Sequence, residues 1–85
     1  MAIKILIADD HQLFREGLIT LLSDNADIVV IGEAKDGQQA LDKAREQTPD
    51  ILIVDIGMPV INGIEVTGTL KKELPVLYII CVFLV

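Results

Sequence analysis

Two adjacent aspartates, Asp9 and Asp10, follow an apolar segment near the start of the chain, and Asp55 ends a similar segment farther along. Carboxylates held close together repel one another, and some of them take up protons unless a cation offsets their charge. A hard divalent ion such as Mg²⁺ prefers oxygen ligands and keeps several waters, so two carboxylates and a backbone carbonyl suffice as protein ligands. With the ion bound, one carboxylate could act as a nucleophile toward a phosphoryl group.

Asp55 is the better candidate for that nucleophile. It ends a predicted buried strand and precedes a loop with Gly57 and Pro59 that can leave room above it. A structural role is the alternative for Asp9 and Asp10, since aspartate is a good N-cap and its charge suits the positive end of a helix dipole. A pair of aspartates together with a third at a strand end favours the metal site over helix capping.

Apolar patterns predict the elements that position these aspartates. Continuous apolar runs rich in isoleucine and valine are typical of strands covered on both faces, and they occur as IKILIA, IVVIGEA and ILIV. A fourth strand is predicted from Val76 onward. Apolar residues at helical spacing predict three helices, from Gln12 to about Asn25, from Gly37 to Gln47, and from about Ile64 to Glu73.

The resulting order, β-α-β-α-β-α-β, indicates an α/β fold with a parallel sheet, right-handed crossovers and helices on both faces. In such sheets a ligand site forms beyond the carboxyl ends of the strands. If the first and third strands are neighbours, Asp9, Asp10 and Asp55 converge at this edge. The predicted fold therefore brings the candidate metal ligands together.

Composition and charge narrow the class of protein. The 85 residues allow one small domain, and 52% of them are hydrophobic, with a mean hydropathy of +0.54. The 13 acidic and 7 basic residues give a formal net charge of −6. This balance argues against direct binding of nucleic acid and favours a cation or a basic partner surface.

The sequence also indicates the cellular compartment of the chain. The longest apolar stretch, residues 74–85, is too short to span a bilayer, and the N-terminus lacks the zones of a signal peptide. A single cysteine, Cys81, excludes an intramolecular disulfide. We therefore expect a cytoplasmic chain without membrane contact.

Three further features are interpreted as structural. Cys81 lies within an apolar run and is expected to be a small core residue. His11 beside the acids could be a metal ligand or proton carrier, but we expect a loop residue at the start of the first helix, since one histidine without nearby partners makes no convincing metal site. The apolar stripe of the first helix is expected to face the core, and it comprises Leu13, Phe14, Leu18, Leu21 and Leu22.

Several of these stretches resemble one protein family. ILIADDH, ILIVDIGMP and NGIEV look like the N-terminal half of a response-regulator receiver domain from bacterial two-component signalling. DDHQLFREGL and GEAKDGQQAL are similar to receivers of LuxR-type transcription factors. The resemblance extends to about Pro75. It implies a flavodoxin-like (receiver or CheY-like) doubly wound sheet with strand order 2-1-3-4.

The resemblance also implies a truncation after the fourth strand. Residues 1–85 would be the N-terminal part of a receiver, without the fifth strand, the last two helices and the DNA-binding domain. A sheet shortened in this way exposes an apolar edge that can pair with another chain. We therefore expect a homo-oligomer formed through the C-terminal strand.

Residue roles follow from the resemblance position by position. Asp55 would accept a phosphoryl group from a histidine kinase. Asp10 and Asp55 would bind Mg²⁺ directly, together with the backbone carbonyl of Gly57, and Asp9 would hold the ion through water. Gly63 would permit the tight turn before the third helix. The chain would then be a signalling module and not an enzyme.

The sequence departs from the family at two positions. Receivers carry Ser or Thr at the end of the fourth strand, but residues 80–83 contain neither. They carry Lys at the end of the fifth strand, and no Lys follows Lys72. These departures favour an alternative, a degenerate or truncated receiver that acts only as a folding or dimerisation module without phosphorylation. A Mg²⁺-dependent phosphohydrolase with Asp55 as nucleophile is a weaker third interpretation, because Gly57 stands where its general acid is expected.

Overall fold

Four parallel strands and three helices make up the computed structural model, which describes residues 2–83. The strands form one sheet in the order β2-β1-β3-β4, which confirms the predicted element order and strand order. The predicted first helix ends two residues early and the fourth strand begins two residues late. The elements are β1 (Ile3–Ala8), α1 (Gln12–Ser23), β2 (Ile28–Ala34), α2 (Gly37–Gln47), β3 (Ile51–Asp55), α3 (Gly63–Glu73) and β4 (Tyr78–Val82).

Strand register places the candidate site. β1 pairs with β3 so that Ala8 lies opposite Val54, and the two strands therefore end at the same level of the sheet. Asp9 follows β1 and Asp55 is the last residue of β3, so both carboxylates lie at the same carboxyl edge. On the far side, Val82 of β4 lies opposite Asp55.

The main core lies between the sheet and the helices α2 and α3. Right-handed crossovers put these two helices on one face and α1 on the other, because the chain moves in opposite directions along the sheet after β1 and after β2. Side chains of β1 and β3 alternate between the faces. The core residues on the α2 and α3 face are Leu6, Ala8, Ala34, Ala40, Leu41, Ala44, Leu52, Val54, Met58, Val66, Leu70 and Leu77.

Side-chain caps define where α2 and α3 begin. The Asp36 carboxylate accepts a hydrogen bond from the backbone N–H of Gln39 at 2.9 Å, and the Asn62 side chain accepts one from Glu65 at 2.9 Å. Such caps satisfy backbone donors that a helix start otherwise leaves without partners. The positions of both helix starts are thereby fixed at the edge of the sheet where Asp55 lies.

Helix α1 is packed more loosely than its apolar stripe predicts. Leu13 is 85% exposed and Leu21 is 72% exposed, whereas the one buried residue of this helix is Arg15. The expectation of a core stripe is therefore wrong for Leu13 and Leu21. Periodicity identifies the apolar side of a helix, but residues on that side are buried only where another part of the fold covers them. With 12 residues, α1 is the longest helix in residues 2–83, and none there has the length and apolarity to cross a membrane.

Strand β4 shows a similar difference from expectation. Cys81 is exposed and not a core residue, and its Sγ lies 3.4 Å from the Thr67 hydroxyl oxygen of α3. Tyr78 and Ile80 are also exposed on this strand. Because β4 is the last strand of the sheet within residues 2–83, an apolar sequence does not bring burial there.

We expect Gly37→Ala to destabilise the fold by about 1–3 kcal/mol, as overpacking of a tight contact does. A β-carbon at position 37 would overlap the backbone carbonyl of Ile61. Gly68→Ala is the matched control, because no atom lies within 4 Å of a β-carbon there. As a change in the interior of α3, it should stabilise the protein by about 0.5–1 kcal/mol. Urea unfolding followed by circular dichroism measures both, and equal effects would contradict the proposed contact.

Candidate metal centre

Four side chains meet at the carboxyl edge of the sheet. One ligand atom from each of Asp9, Asp10, His11 and Asp55 lies within 4.8 Å of the other three. Three of these residues follow β1 directly, and Asp55 ends the neighbouring strand β3. The predicted convergence of the three aspartates is thus present in the structure, and the carboxylate oxygens are ligands suited to a hard cation.

His11 belongs to this cluster, although the sequence favoured a loop residue over a metal ligand at this position. Its Nδ1 lies 3.0 Å from Oδ1 of Asp9, 3.2 Å from Oδ1 of Asp10 and 3.6 Å from Oδ2 of Asp55. The hydrogen bond with Asp9 and the charge of Asp10 raise the pKa of His11 above its ordinary value. His11 is a loop residue at the start of α1 as predicted, but the expectation that it has no nearby partners is wrong. Its position next to Asp9 and Asp10 was the available signal.

Asp9 is the most deeply enclosed carboxylate of the site, with an exposure of 1%. Its Oδ1 accepts a hydrogen bond from the backbone N–H of His11 at 2.7 Å. Its Oδ2 is buried and has no hydrogen-bond partner within residues 2–83. A buried acceptor without a partner is costly, so this oxygen fits a bound cation or its water shell.

Arg15 supports the backbone of the site from α1. Its guanidinium donates a hydrogen bond to the backbone carbonyl of Asp9 at 2.6 Å and another to the Glu33 carboxylate at 2.7 Å. The buried charge is therefore paired and also fixes the chain where it leaves β1. Sequence reasoning missed this role, although a charged residue between the apolar positions 14 and 18 was a signal.

Asp55 is 2% exposed, and its two oxygens have different surroundings. Oδ1 accepts a hydrogen bond from the backbone N–H of Gly57 at 3.1 Å, while Oδ2 faces His11. Burial raises the pKa of Asp55 above its ordinary value, and the charges of Asp9 and Asp10 raise this pKa further, against the opposing effect of the Gly57 hydrogen bond. The ionised form of Asp55 is therefore held at a cost that a cation would offset.

The loop after β3 is fixed close to Asp55. The backbone N–H of Ile61 donates to the carbonyl of Pro59 at 2.9 Å, and Val60 between them has a φ of 71°, which together describe a γ-turn. The backbone N–H of Gly37 donates to the same Pro59 carbonyl at 3.3 Å, so the start of α2 also holds this loop. The sequence predicts Gly37 as the first residue of the second helix, and its contact with this loop was missed.

Gly63 has a role different from the predicted one. It has no positive φ, so a tight turn does not explain the glycine. A β-carbon at this position would lie 2.5 Å from the carbonyl oxygen of Asp55. Glycine is required because α3 begins directly against the backbone of the candidate acceptor.

The end of β4 carries no hydroxyl beside Asp55. The backbone N–H of Ile56 donates to the carbonyl of Val82 at 3.0 Å, which places Val82 next to the end of β3. Thr67 lies on α3 and donates to the carbonyl of Gly63 at 2.8 Å. Within the part of the chain that the structure describes, neither residue supplies the strand-end hydroxyl that receivers carry.

A doubly wound parallel sheet with aspartates at the ends of β1 and β3 defines a flavodoxin-like domain with an acidic edge site. Residues 5–83 match the response regulator receiver domain, and the chain belongs to this family. This confirms the resemblance found in the sequence. Receiver domains of this family are signalling modules of two-component systems.

Individual relatives agree with this assignment. The response regulator protein VraR of Staphylococcus saprophyticus is 44% identical over 75 residues, which are 88% of this chain and 36% of VraR. The chain therefore spans about a third of the length of the curated relatives it matches.

Solved structures show the same fold. The response regulator domain of CheB from Thermotoga maritima has a TM-score of 0.93 and 37% identity, covering 98% of this chain and 61% of that one. A LuxR-family response regulator from Aurantimonas sp. SI85-9A1 has a TM-score of 0.91 and 31% identity, covering 98% of this chain and 59% of that one.

We expect Asp55→Asn to raise the free energy of unfolding at pH 7 in the presence of a chelator. The substitution removes a charge that is less favourable in the folded than in the unfolded chain, and Asn retains an acceptor for the Gly57 N–H. Each kcal/mol gained would raise the Tm by about 4–8 °C in a domain of this size. Thermal unfolding followed by circular dichroism measures the difference.

The pH dependence of this difference has a definite sign. Because the folded-state pKa of Asp55 is raised, the folded chain binds more protons than the unfolded chain between the ordinary and the raised value. Wild-type stability therefore falls as the pH rises through this window, relative to the Asn variant. The difference should be largest at pH 7 and vanish below the ordinary pKa of aspartate. A difference that grows on acidification would contradict the assigned cause.

Proposed function

We propose that Asp55 accepts a phosphoryl group from the phosphohistidine of a histidine kinase, in a Mg²⁺-dependent step of a two-component system. The observation that carries this proposal is the meeting of Asp9, Asp10 and Asp55 at one edge, with Asp55 buried at the end of β3. Membership of the receiver family supports the choice of donor and partner.

The residues suited to hold Mg²⁺ are Asp10 and Asp55 as direct ligands, with the backbone carbonyl of Gly57, and Asp9 through water. The unpartnered Oδ2 of Asp9 and the mutual repulsion of the carboxylates support this set. When bound, Mg²⁺ would neutralise charge that develops on the oxygens of the transferred group.

The protein residues account for the remaining requirements of the transfer. An ionised oxygen of Asp55 donates a lone pair to phosphorus, and the P–N bond to the imidazole of the kinase breaks with its electron pair going to nitrogen. The Gly57 N–H fixes one oxygen of Asp55, and the hydrogen bond from the Gly37 N–H to Pro59 holds the loop from Pro59 to Ile61 in place. The chain acts as the acceptor and undergoes no cycle of turnover, so we propose a signalling module and not an enzyme.

We propose that residues 1–85 correspond to the N-terminal part of a receiver domain. The coverage of 59–61% of the two solved receiver chains described above supports this. In intact relatives, phosphorylation would shift a conformational equilibrium that controls a DNA-binding domain. Residues 1–85 would not contact DNA themselves, because their net charge is −6. We propose a cytoplasmic location, in line with a chain whose single cysteine forms no internal disulfide.

Incubation with a small-molecule phosphodonor and Mg²⁺, followed by intact-mass measurement, tests the acceptor. We expect one added phosphoryl group on the wild-type chain, none on Asp55→Asn and none when a chelator removes the metal. Asp42→Asn is the matched control, since this aspartate is exposed on α2 and should remain fully competent.

The same experiment distinguishes the alternatives. A folded chain that binds Mg²⁺ but gains no mass would support the degenerate receiver, which the valine at the end of β4 favours. Release of inorganic phosphate over many turnovers would instead identify a phosphohydrolase.

We also propose that the 85-residue chain self-associates through β4. This strand has a neighbour on one side only within residues 2–83, and it contains no charged residue. Two copies with a net charge of −6 each repel least where an uncharged edge meets an uncharged edge. Two-fold symmetry makes the pairing antiparallel. If the five residues of β4 pair over their full length, Ile80 lies opposite its copy, and Tyr78 lies opposite Val82 as a favourable aromatic and β-branched pair.

Light scattering coupled to size-exclusion chromatography tests this pairing. We expect a mass of twice 9.3 kDa for the wild-type chain. Ile80→Lys should give the single-chain mass, because two like charges would face each other across the axis. Leu21→Lys, on the exposed side of α1, should remain dimeric. A single-chain mass for the wild type at high concentration would refute the proposal.

A further inference from the structure

The imidazole of His11 is directed into the acidic cluster and not away from it. Its Nδ1 is the atom closest to the carboxylates, although the side chain as a whole is 57% exposed. The backbone N–H of His11 is bound to Oδ1 of Asp9 at 2.7 Å, so the start of this side chain is held in place. The ring is therefore presented to the site by the local backbone.

The separations around Nδ1 match those between ligands of one ion. Two ligands at right angles around an ion, each about 2.1 Å from it, stand about 3.0 Å apart. The observed distances from Nδ1 are 3.0 Å to Asp9, 3.2 Å to Asp10 and 3.6 Å to Asp55. A cation placed among these oxygens would therefore also be within reach of the nitrogen.

An independent observation points to a ligand in this position. Oδ2 of Asp9 is fully buried without a hydrogen-bond partner in residues 2–83. Asp9 and Asp55 are 1% and 2% exposed, so neither carboxylate is solvated in the ordinary way. Buried charges of this kind are paired or coordinate metals.

We propose that His11 supplies an imidazole nitrogen ligand, so that this site prefers late first-row divalent ions over Mg²⁺. The inference rests on the proposed function, since it concerns the same cluster. Oxygen ligands alone suit Mg²⁺ and Mn²⁺, whereas an added imidazole favours Fe²⁺, Ni²⁺, Cu²⁺ and Zn²⁺. In the metal-free chain Nδ1 shares a proton with Oδ1 of Asp9 at 3.0 Å, so metal binding would release this proton and leave a neutral ring that binds through Nδ1 and carries its remaining proton on Nε2.

Pulsed electron paramagnetic resonance of the untagged chain loaded with Mn²⁺ tests the nitrogen contact. His11 is the single histidine of the sequence, so any imidazole coupling comes from this residue. We expect a nitrogen modulation that changes when the chain is labelled with ¹⁵N-histidine and is lost in His11→Ala. Bound Mn²⁺ with no histidine coupling would overturn the proposal.

Calorimetric titration tests the selectivity. We expect Ni²⁺ to bind the wild-type chain more tightly than Mg²⁺, and His11→Ala to weaken Ni²⁺ binding at least about tenfold while changing Mg²⁺ binding less than about threefold. An equal loss for both ions would overturn the role as a selective ligand.

Failure of this inference is distinguishable from failure of the proposed function. Mg²⁺-dependent phosphorylation of Asp55 together with the absence of a nitrogen contact would refute the His11 ligand alone. The absence of binding of Ni²⁺, Mn²⁺ and Mg²⁺ to the folded wild-type chain would refute both.

Discussion

The central constraint of this fold is the repulsion between buried carboxylates, which the polypeptide alone does not fully offset. Asp9 and Asp55 end neighbouring strands at the same level of the sheet, and both carboxylates are almost completely excluded from water. The polypeptide stabilises this charge only in part, through the backbone N–H groups of His11 and Gly57 and through the imidazole of His11. A site that retains such a cost in its folded state is suited to bind a cation, since the ion supplies what the chain lacks.

Much of the fold could be predicted from the sequence, since the two central strands β1 and β3 are largely buried. Continuous apolar runs gave the bounds of β1 and β2 as observed, and the alternation with helices led to the parallel sheet. Exposure was less predictable. Leu13, Leu21 and Cys81 are apolar but lie where no neighbouring element covers them, and a pattern along the chain does not contain that information.

The candidate site could likewise be predicted only in part. The three aspartates could be brought together from the sequence, because parallel strands end at a common edge. The roles of His11, Arg15 and Gly37 could not be predicted, since they depend on distances between elements. The His11 ring is directed at three carboxylates, the Arg15 guanidinium binds a backbone carbonyl, and Gly37 at the start of α2 contacts the loop after β3. Such contacts follow from the packing of elements and not from residue type.

The contact at Gly63 has a mechanical consequence. The first residue of α3 abuts the peptide group of Asp55, and its N–H donates to the carbonyl of Ile56 at 2.9 Å. No side chain lies between them to absorb a displacement. A displacement of the end of β3 by a fraction of an ångström would therefore displace the start of α3 directly. The 11 residues of α3 would then move together as a rigid body.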